Sequence, residues 1–209
     1  MMCYTLSRIV VLLCAAIALA FAVLGVYLPL FEMPSRIAHA IQSLNASIQS
    51  TDFNISTEKA TLERFGQLVS GAPAKSKMTL WRLSYGTSRA NTSINLRGDY
   101  FTCYQGNIFI QAAEGFAVVT CVLGAANLIM SVFLFFFAPV VKFPLAVYLF
   151  LAAATAVVTV GFALNLYLQG WCSAESLKAS EWSLSLGFAS FAISCGVSLT
   201  ASVLVILSY

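Results

Sequence analysis

Few side chains in this sequence have the types and spacing that catalysis requires. The chain has one histidine, His39, on a polar helix face without neighbouring acids. A metal site needs several His, Cys or carboxylate ligands, and the familiar nucleophile, zinc-protease, phosphate-loop and dinucleotide motifs do not occur in the sequence. The sequence therefore predicts no catalysis, no cofactor and no metal, with His39 as a surface residue.

Polar side chains inside apolar runs are the remaining candidates for function. Glu114 is the only acid within a candidate span, where the bilayer centre would cost it roughly 2.5–3.5 kcal/mol. Its place near the start of the span predicts an interfacial position at the positive end of the helix dipole. Asn127 lies deeper and either bonds a neighbouring helix or carries solute. Gating by Glu114 and permeation past Asn127 are alternatives.

The composition indicates that these residues belong to a membrane protein. Apolar residues make up 60% of the chain and charged residues 9%, against about 45–50% and about 25% in soluble proteins. The net charge of +3 is not gathered into a basic block, so no nucleic acid is expected as a partner. Four uncharged runs exceed the ~20 residues that cross a bilayer: Ile9–Phe31, Gly115–Val141, Phe143–Ala174 and Trp182–Tyr209.

We expect an all-α membrane protein, a four-transmembrane-helix bundle in a single integral-membrane domain over residues 1–209. The first apolar run is longer than the ~7–15 residues of a signal peptide, which favours an uncleaved helix over a cleaved leader. Pro139, Lys142 and Pro144 predict a very short turn between the second and third helices. The expected helices cover about residues 9–30, 108–137, 143–168 and 184–208.

Two polar connections, about residues 31–107 and 169–183, lie on the same side of the membrane in this arrangement. The glycosylation signals of the form Asn-x-Ser/Thr, at Asn45, Asn54 and Asn91, all fall in the larger connection. We therefore expect this connection outside the cell and both termini in the cytoplasm of a multi-pass protein of the plasma membrane.

Small residues predict how the helices pack. Lipid is as apolar as leucine, so close contact between small side chains drives helix association in a membrane. On the fourth helix a serine recurs at every fourth position, which places these serines on one stripe. We expect the stripe to face neighbouring helices, and a polar path for solutes is the alternative. The stripe consists of Ser190, Ser194, Ser198 and Ser202.

The larger outer connection changes character along its length. Residues 34–72 have a helical pattern, whereas Met78–Tyr85 and Thr92–Leu96 have the β-branched and aromatic residues of short strands. We expect a small extracellular sheet that caps the bundle. Cys103 and Cys172 lie on the same outer, oxidising face, which predicts a disulfide between the two loops; two free buried thiols are the alternative.

Several segments resemble the amastins, four-span surface glycoproteins of kinetoplastid parasites. Thr79-Leu80-Trp81 matches the core of the family's outer-loop signature, roughly C-x-T-L-W-G-x-K-x-x-C. Ala112-Ala113-Glu114 is similar to the centre of the family's R-F-R-A-A-E-A-L-A stretch. Leu186-Gly187-Phe188-Ala189 resembles the start of its fourth helix, Cys103 stands at the family's spacing, and Cys172 resembles its last outer cysteine.

The chain departs from the amastin signature at both of its cysteines and at its glycine. Lys77 and Thr87 stand where the signature cysteines would fall, and Arg82 replaces the glycine. The resemblance is therefore to an amastin-like branch. Our hypothesis is that the family has two separate cysteine pairs, of which this chain keeps Cys103 and Cys172.

The architecture also resembles the claudins, which have four helices and a large first outer loop with a sheet. The amastin resemblance implies a surface glycoprotein with a contact, adhesion or membrane-organising role at the parasite–host boundary, and no enzyme. Expected partners are the lipid bilayer, further copies of the chain or other surface membrane proteins, and a host membrane component. A small-solute or ion transporter or channel formed by the bundle is the alternative. Membrane-interface anchors or contact sites are expected at Trp81, Trp171 and Trp182.

Overall fold

Four long helices and a small sheet make up the described part of the chain in a computed structural model. The structure describes residues 2–33, 75–87, 90–97, 101, 103–171, 176–180 and 182–207. Each helix is long and apolar enough to cross a membrane, which defines a multi-pass, four-span membrane protein. The helices are α1 (Met2–Tyr27), α2 (Tyr104–Phe133), α3 (Ala138–Gln169) and α4 (Leu186–Leu207).

The helix ends differ from the expected spans. Cys103 caps α2, which begins and ends about one turn earlier than expected. Helix α3 begins at Ala138, so Pro139 and Pro144 lie inside it. Proline is tolerated in the first helical turn, where its missing N–H has no intrahelical partner anyway, and this accounts for Pro139. Pro144 lies in the second turn, where it removes one hydrogen bond of the helix. The connection between α2 and α3 is therefore Leu134–Phe137, and the prediction that these prolines form the turn is wrong.

The four helices pack in a ring. The extensive contacts join α1 to α2, α2 to α3, α3 to α4, and α4 to α1. Small residues allow this close approach: a Cβ placed on Gly124 of α2 would lie 3.2 Å from Leu19 of α1. The ring of Phe191 on α4 lies against Gly25 of α1 in the same way. Glycines on one helix therefore receive large side chains of the next, which lets the helices approach α1 closely.

A five-stranded antiparallel sheet joins segments that are far apart in the chain. The strands are β1 (Phe31–Glu32), β2 (Lys75–Met78), β3 (Arg82–Thr87), β4 (Ala90–Asn95) and β5 (Ser183–Leu184). Their order in the sheet is β4-β3-β2-β1-β5. Because β1 follows α1 and β5 precedes α4, the sheet ties the end of the first helix to the start of the last.

The strands differ from the two that the sequence predicts. The expected strand over Met78–Tyr85 is interrupted, because Thr79–Trp81 turns the chain between β2 and β3. The expected strand over Thr92–Leu96 overlaps β4. Strands β1 and β5 were not predicted, since two residues are too few to show the period of two that marks a strand. The expected start of the fourth span at residue 184 falls in β5 instead.

The sheet rests on one end of the bundle through a continuous apolar cluster. Phe31 and Met78 of the sheet are buried against Ala113 of α2 and Leu166 of α3. Trp171, which follows α3, is buried in the same cluster. Its ring centroid lies 5.2 Å from that of Phe101 and 5.5 Å from that of Phe109. Trp171 and the buried Trp182 are therefore core residues, and their prediction as interface anchors or contact sites is wrong.

Some expectations fall outside the described residues. The helical pattern of residues 34–72 lies there, and with it Asn45 and Asn54. Cys172 lies there as well. The backbone of Asn91 is described, and it pairs with Gly86 in the β3–β4 ladder.

Candidate functional site

The turn between β2 and β3 is built by the segment Thr79-Leu80-Trp81. The backbone amide of Thr79 donates to the carbonyl oxygen of Arg82 at 2.9 Å, and the Arg82 amide donates to the Thr79 hydroxyl at 3.0 Å. The Leu96 amide donates to the Trp81 carbonyl at 3.1 Å, which ties the turn to the end of β4. Leu80 is 2% exposed, whereas Trp81 is 36% exposed. The threonine therefore shapes the turn, the leucine anchors it, and the tryptophan is displayed.

Helix α2 carries the second family-like motif, Ala112-Ala113-Glu114, close to this turn. Successive residues of a helix point about 100° apart, so Ala113 and Glu114 face different neighbours. Ala113 is buried in the cluster beneath the sheet. Glu114 is 7% exposed and lines a groove beside that cluster. Glu114 lies about three turns into α2, beyond the first turn in which the helix dipole acts, so the prediction that it meets the positive end of the dipole is wrong.

The groove brings both motifs together with the end of α1. Its volume is about 770 Å³ and it is open on one side. It combines two guanidinium groups, one carboxylate, an indole and a phenol, with hydroxyl and amide groups between them. The groove is lined by Val26, Tyr27, Thr79, Trp81, Arg82, Asn95, Arg97 and Glu114.

The charges of the groove are unevenly matched. Among the described lining residues, two have basic side chains and one has an acidic side chain. The Arg97 guanidinium is close enough to interact electrostatically with the Glu114 carboxylate. Among the described residues neither Arg82 nor Arg97 forms a salt bridge; the ion pair found there joins Lys77 to Glu32 at 3.5 Å, outside the groove. The groove thus has two guanidinium groups without a salt bridge among the described residues at its exposed rim, and a buried acid, Glu114, in its wall.

A second polar region lies inside the bundle. The Thr120 hydroxyl donates to the Thr155 hydroxyl at 2.8 Å, which joins α2 to α3. The Asn127 side-chain amide donates to the carbonyl of Tyr148 on α3 at 3.3 Å, and its own oxygen has no partner. Asn127 is 1% exposed, and the space around it does not hold a water molecule. These groups connect helices and leave no open path between them.

The serine stripe of α4 is buried along its whole length and uses different partners. The Ser194 hydroxyl donates to the Ala18 carbonyl of α1 at 2.8 Å, and the Ser202 hydroxyl donates to the Ala146 carbonyl of α3 at 3.0 Å. The Ser190 hydroxyl donates within its own helix. Ser198 lies beside Asn127 in the closed centre of the bundle. The stripe therefore faces α1 at one level and α3 at another.

The cysteines divide into bonded and free thiols. Cys103 is disulfide-bonded, and its sulfur accepts the Gly106 amide at 3.1 Å, which caps α2. Cys14, Cys121 and Cys195 are free thiols within the helices. Since those three are excluded, the partner of Cys103 is either Cys3 or Cys172. The pairing with Cys172 stays a prediction.

Metal binding has no obvious location in the described ranges. No group of three or more His, Cys, Asp or Glu residues lies close enough there to hold an ion. His39 falls outside these ranges.

Four apolar helices in a ring, with a small sheet packed on one end, define an integral membrane protein of the four-span class. The family model described as Amastin surface glycoprotein matches residues 59–205. The chain belongs to the amastin family, and the resemblance inferred from its sequence is confirmed. This membership makes it a cell-surface membrane protein. No curated protein matches the chain.

Half of the groove could not be found from the sequence. Thr79, Trp81 and Glu114 belong to the family-like motifs and were singled out for that reason. Arg97 carries no sequence signal, because only folding brings its segment to the groove, whereas Tyr27 carries a weak one. A useful hint was the aromatic residue at the end of the first span, where tyrosine is enriched in membrane proteins.

Proposed function

We propose that this amastin-family chain is a contact protein of the cell surface, which organises or adheres membranes and performs no catalysis. The observation that carries the proposal is the packing of the sheet onto the bundle. Phe31 and Met78 are fully buried against the helices, so the sheet is held at a fixed position relative to the membrane. A sheet anchored in this way displays Trp81 and its neighbours to a partner without first having to become ordered.

Family membership supplies the setting of the proposal. Amastins are surface glycoproteins, and the parasite–host boundary is the place where such a protein makes contact. The proposed partners are further copies of the chain, other surface membrane proteins, or a component of the host membrane. The proposed architecture is claudin-like, with the outer sheet contributed mainly by the loop between α1 and α2.

The proposed orientation puts the sheet outside the cell and both termini in the cytoplasm. Three glycosylation signals, at Asn45, Asn54 and Asn91, support it because all three fall in the sequence between α1 and α2, the connection that also contributes most of the sheet. Asparagine-to-glutamine variants at each site, followed by glycosidase treatment of intact cells, test it. We expect glycosidase to shift the mobility of the protein on a gel, and we expect this shift to become smaller with each glycosylated site that is removed. Cleavage of this loop only by a cytosolic protease would contradict the orientation.

Membrane contact is tested with two populations of liposomes that contain the purified chain and carry donor or acceptor dyes. We expect energy transfer between populations to rise with the amount of protein. Protease added outside should abolish the transfer by removing the exposed loops, and inhibited protease is the matched control. Transfer that is independent of the exposed loops would contradict a contact function.

The alternative function is a transporter or channel through the bundle. The polar residues that it would need, around Asn127, hydrogen-bond between helices in a space too small for water. This geometry favours a packing role. A tracer flux across proteoliposomes that the wild-type chain supports and Asn127→Leu abolishes would revive the alternative. If the wild-type chain shows no flux, the result supports the contact function.

A further inference from the structure

The groove between α1, α2 and the sheet has a composition that is unusual for a membrane boundary, because it holds both positive and negative groups among aromatic rings. We propose that it binds the zwitterionic headgroup of a phospholipid from the leaflet on the sheet side. The phosphate lies at Arg82 and Arg97, and the ammonium group lies at Glu114, between the rings of Trp81 and Tyr27. This proposal goes beyond the contact function and does not depend on it.

The position of the groove matches the depth of lipid headgroups. Val26 and Tyr27 are the last residues of the apolar span of α1. Tyr27 is largely exposed, and Trp81 faces the same groove from the sheet. Tyrosine and tryptophan are enriched at headgroup level because one end of each ring is apolar and the other is polar. The groove therefore opens where a phosphate and an amine of a lipid are found.

The exposed rim of the groove fits a phosphate. Arg82 and Asn95 are paired across β3 and β4, so their side chains share one face of the sheet. Arg97 follows on the same chain segment, and neither arginine has a salt-bridge partner among the described residues. Guanidinium groups bind phosphate oxygens through paired hydrogen bonds, which a lysine does not reproduce. Two unpaired guanidinium groups in one groove thus form an anion site.

The buried wall of the groove fits a cation. A carboxylate removed from water is costly unless positive charge compensates it. Among the described residues, Arg97 acts electrostatically on Glu114, and Arg97 also belongs to the proposed phosphate site. A choline or ethanolamine ammonium would supply a second positive charge. The faces of Trp81 and Tyr27 would attract the same ammonium through their ring electrons.

The combination of charges selects the kind of lipid. A purely anionic headgroup would satisfy both arginines but would leave Glu114 facing a negative charge. A purely cationic amphiphile would satisfy Glu114 but would repel the arginines. A headgroup with phosphate and ammonium together, such as phosphocholine, matches both parts of the groove.

Native mass spectrometry of the full chain, released from detergent, tests the proposal. Phosphatidylcholine, phosphatidylglycerol and diacylglycerol with identical acyl chains are supplied in equal amounts. We expect the wild-type chain to retain phosphatidylcholine at about five-fold or more over the other two lipids, since two arginines and one carboxylate contribute. This ranking needs no substitution and therefore does not depend on any variant folding.

Substitutions then assign the headgroup to the groove. The double variant Arg82→Gln with Arg97→Gln should lose about five-fold or more of the bound phosphatidylcholine. Lys77→Gln removes a positive charge from the same sheet outside the groove and should retain the lipid. Glu114→Gln keeps the side-chain shape and should remove the preference for phosphatidylcholine over phosphatidylglycerol.

Three results would overturn the proposal. The first is equal retention of phosphatidylglycerol and phosphatidylcholine by the wild-type chain. The second is equal retention of phosphatidylcholine by the Arg82/Arg97 double variant and by Lys77→Gln. The third is displacement of the lipid by soluble glycerophosphocholine at the same concentration, which would assign the groove to a soluble phosphocholine compound.

Discussion

The backbone amide of Gly187 donates a 2.9 Å hydrogen bond to the carbonyl oxygen of Pro29, so the fourth helix begins against the end of the first. A Cβ at Gly187 would lie 2.6 Å from the carbonyl oxygen of Leu28, which is closer than side chains approach a backbone oxygen. The family-like segment Leu186–Ala189 therefore contains a glycine because two stretches of backbone meet there.

We predict that Gly187→Ala destabilises the protein. The backbone oxygens cannot retreat without breaking the contact, and overpacking typically costs about 1–3 kcal/mol. Gly196→Ala on the same helix is the control, since a Cβ there meets nothing within 4 Å. Thermal unfolding in detergent measures the difference. Equal unfolding midpoints for the two variants would show that the backbone around Gly187 can move to accommodate a methyl group.

Two serines of the α4 stripe should differ in their contribution to stability. Ser194→Ala removes a hydrogen bond to Ala18 of α1, and such bonds average about 0.6 kcal/mol and reach about 1.7 kcal/mol in membranes. Ser190→Ala removes only a bond to its own turn and should change the free energy of unfolding less. Denaturant titration in mixed micelles compares them. A larger loss for Ser190→Ala would contradict the assignment.

Substitutions of Leu80 and Trp81, which are adjacent in the turn, should affect different properties: the first stability and the second lipid binding. Leu80→Ala empties a buried position under the sheet and should cost about 2–5 kcal/mol. Trp81→Ala removes a partly exposed ring and should leave the unfolding midpoint within a few degrees of the wild type, while lipid retention in the groove falls. Unfolding and native mass spectrometry are read on the same samples. An unstable Trp81→Ala would place the indole in the core instead.

Asn127→Leu should leave stability within roughly 1 kcal/mol of the wild type. Its side-chain oxygen has no partner and its one hydrogen bond is long, so an apolar group of similar shape replaces little. Asn127→Ala is the matched comparison, because it leaves a cavity and should destabilise more. A severe loss with leucine would show that the hydrogen bond to the Tyr148 carbonyl contributes more to stability than its length suggests.

Mass mapping without reduction should join the peptides of Cys103 and Cys172. Trp171 supports this pairing, because its ring contacts Phe101 close to Cys103 in the chain. Cys103→Ser and Cys172→Ser should lower the unfolding midpoint equally, whereas Cys3→Ser should not change it. A peptide that joins Cys103 to Cys3 would reject the prediction.

The spans were predictable because each depends on one local property, the length of an uncharged run. Their ends were less predictable, because capping and tertiary contact decide them. Pro139 shows the difference: a proline marks a turn in many sequences, but the first turn of a helix also accepts it, because the N–H that proline lacks would have no partner there.

The sheet was only partly predictable, since its two shortest strands owe their existence to partners. Phe31 pairs with both Met78 and Leu184. The residues around Phe31 and those around Leu184 contain no local pattern that predicts this pairing. Leu80 and Trp81 look alike as strand residues, and only the turn sends one inward and the other outward. The groove was hidden for the same reason, because Tyr27 and Arg97 meet through the fold.

The place of β1 between β2 and β5 has a consequence for biogenesis. This strand leaves the ribosome early, directly after α1, but its neighbour β5 is synthesised only just before α4. Until then one edge of β1 lacks its partner, and unpaired strand edges invite association with other chains. Because β5 and α4 follow each other in the chain, the sheet and the ring of helices are completed by the same last segment to be synthesised.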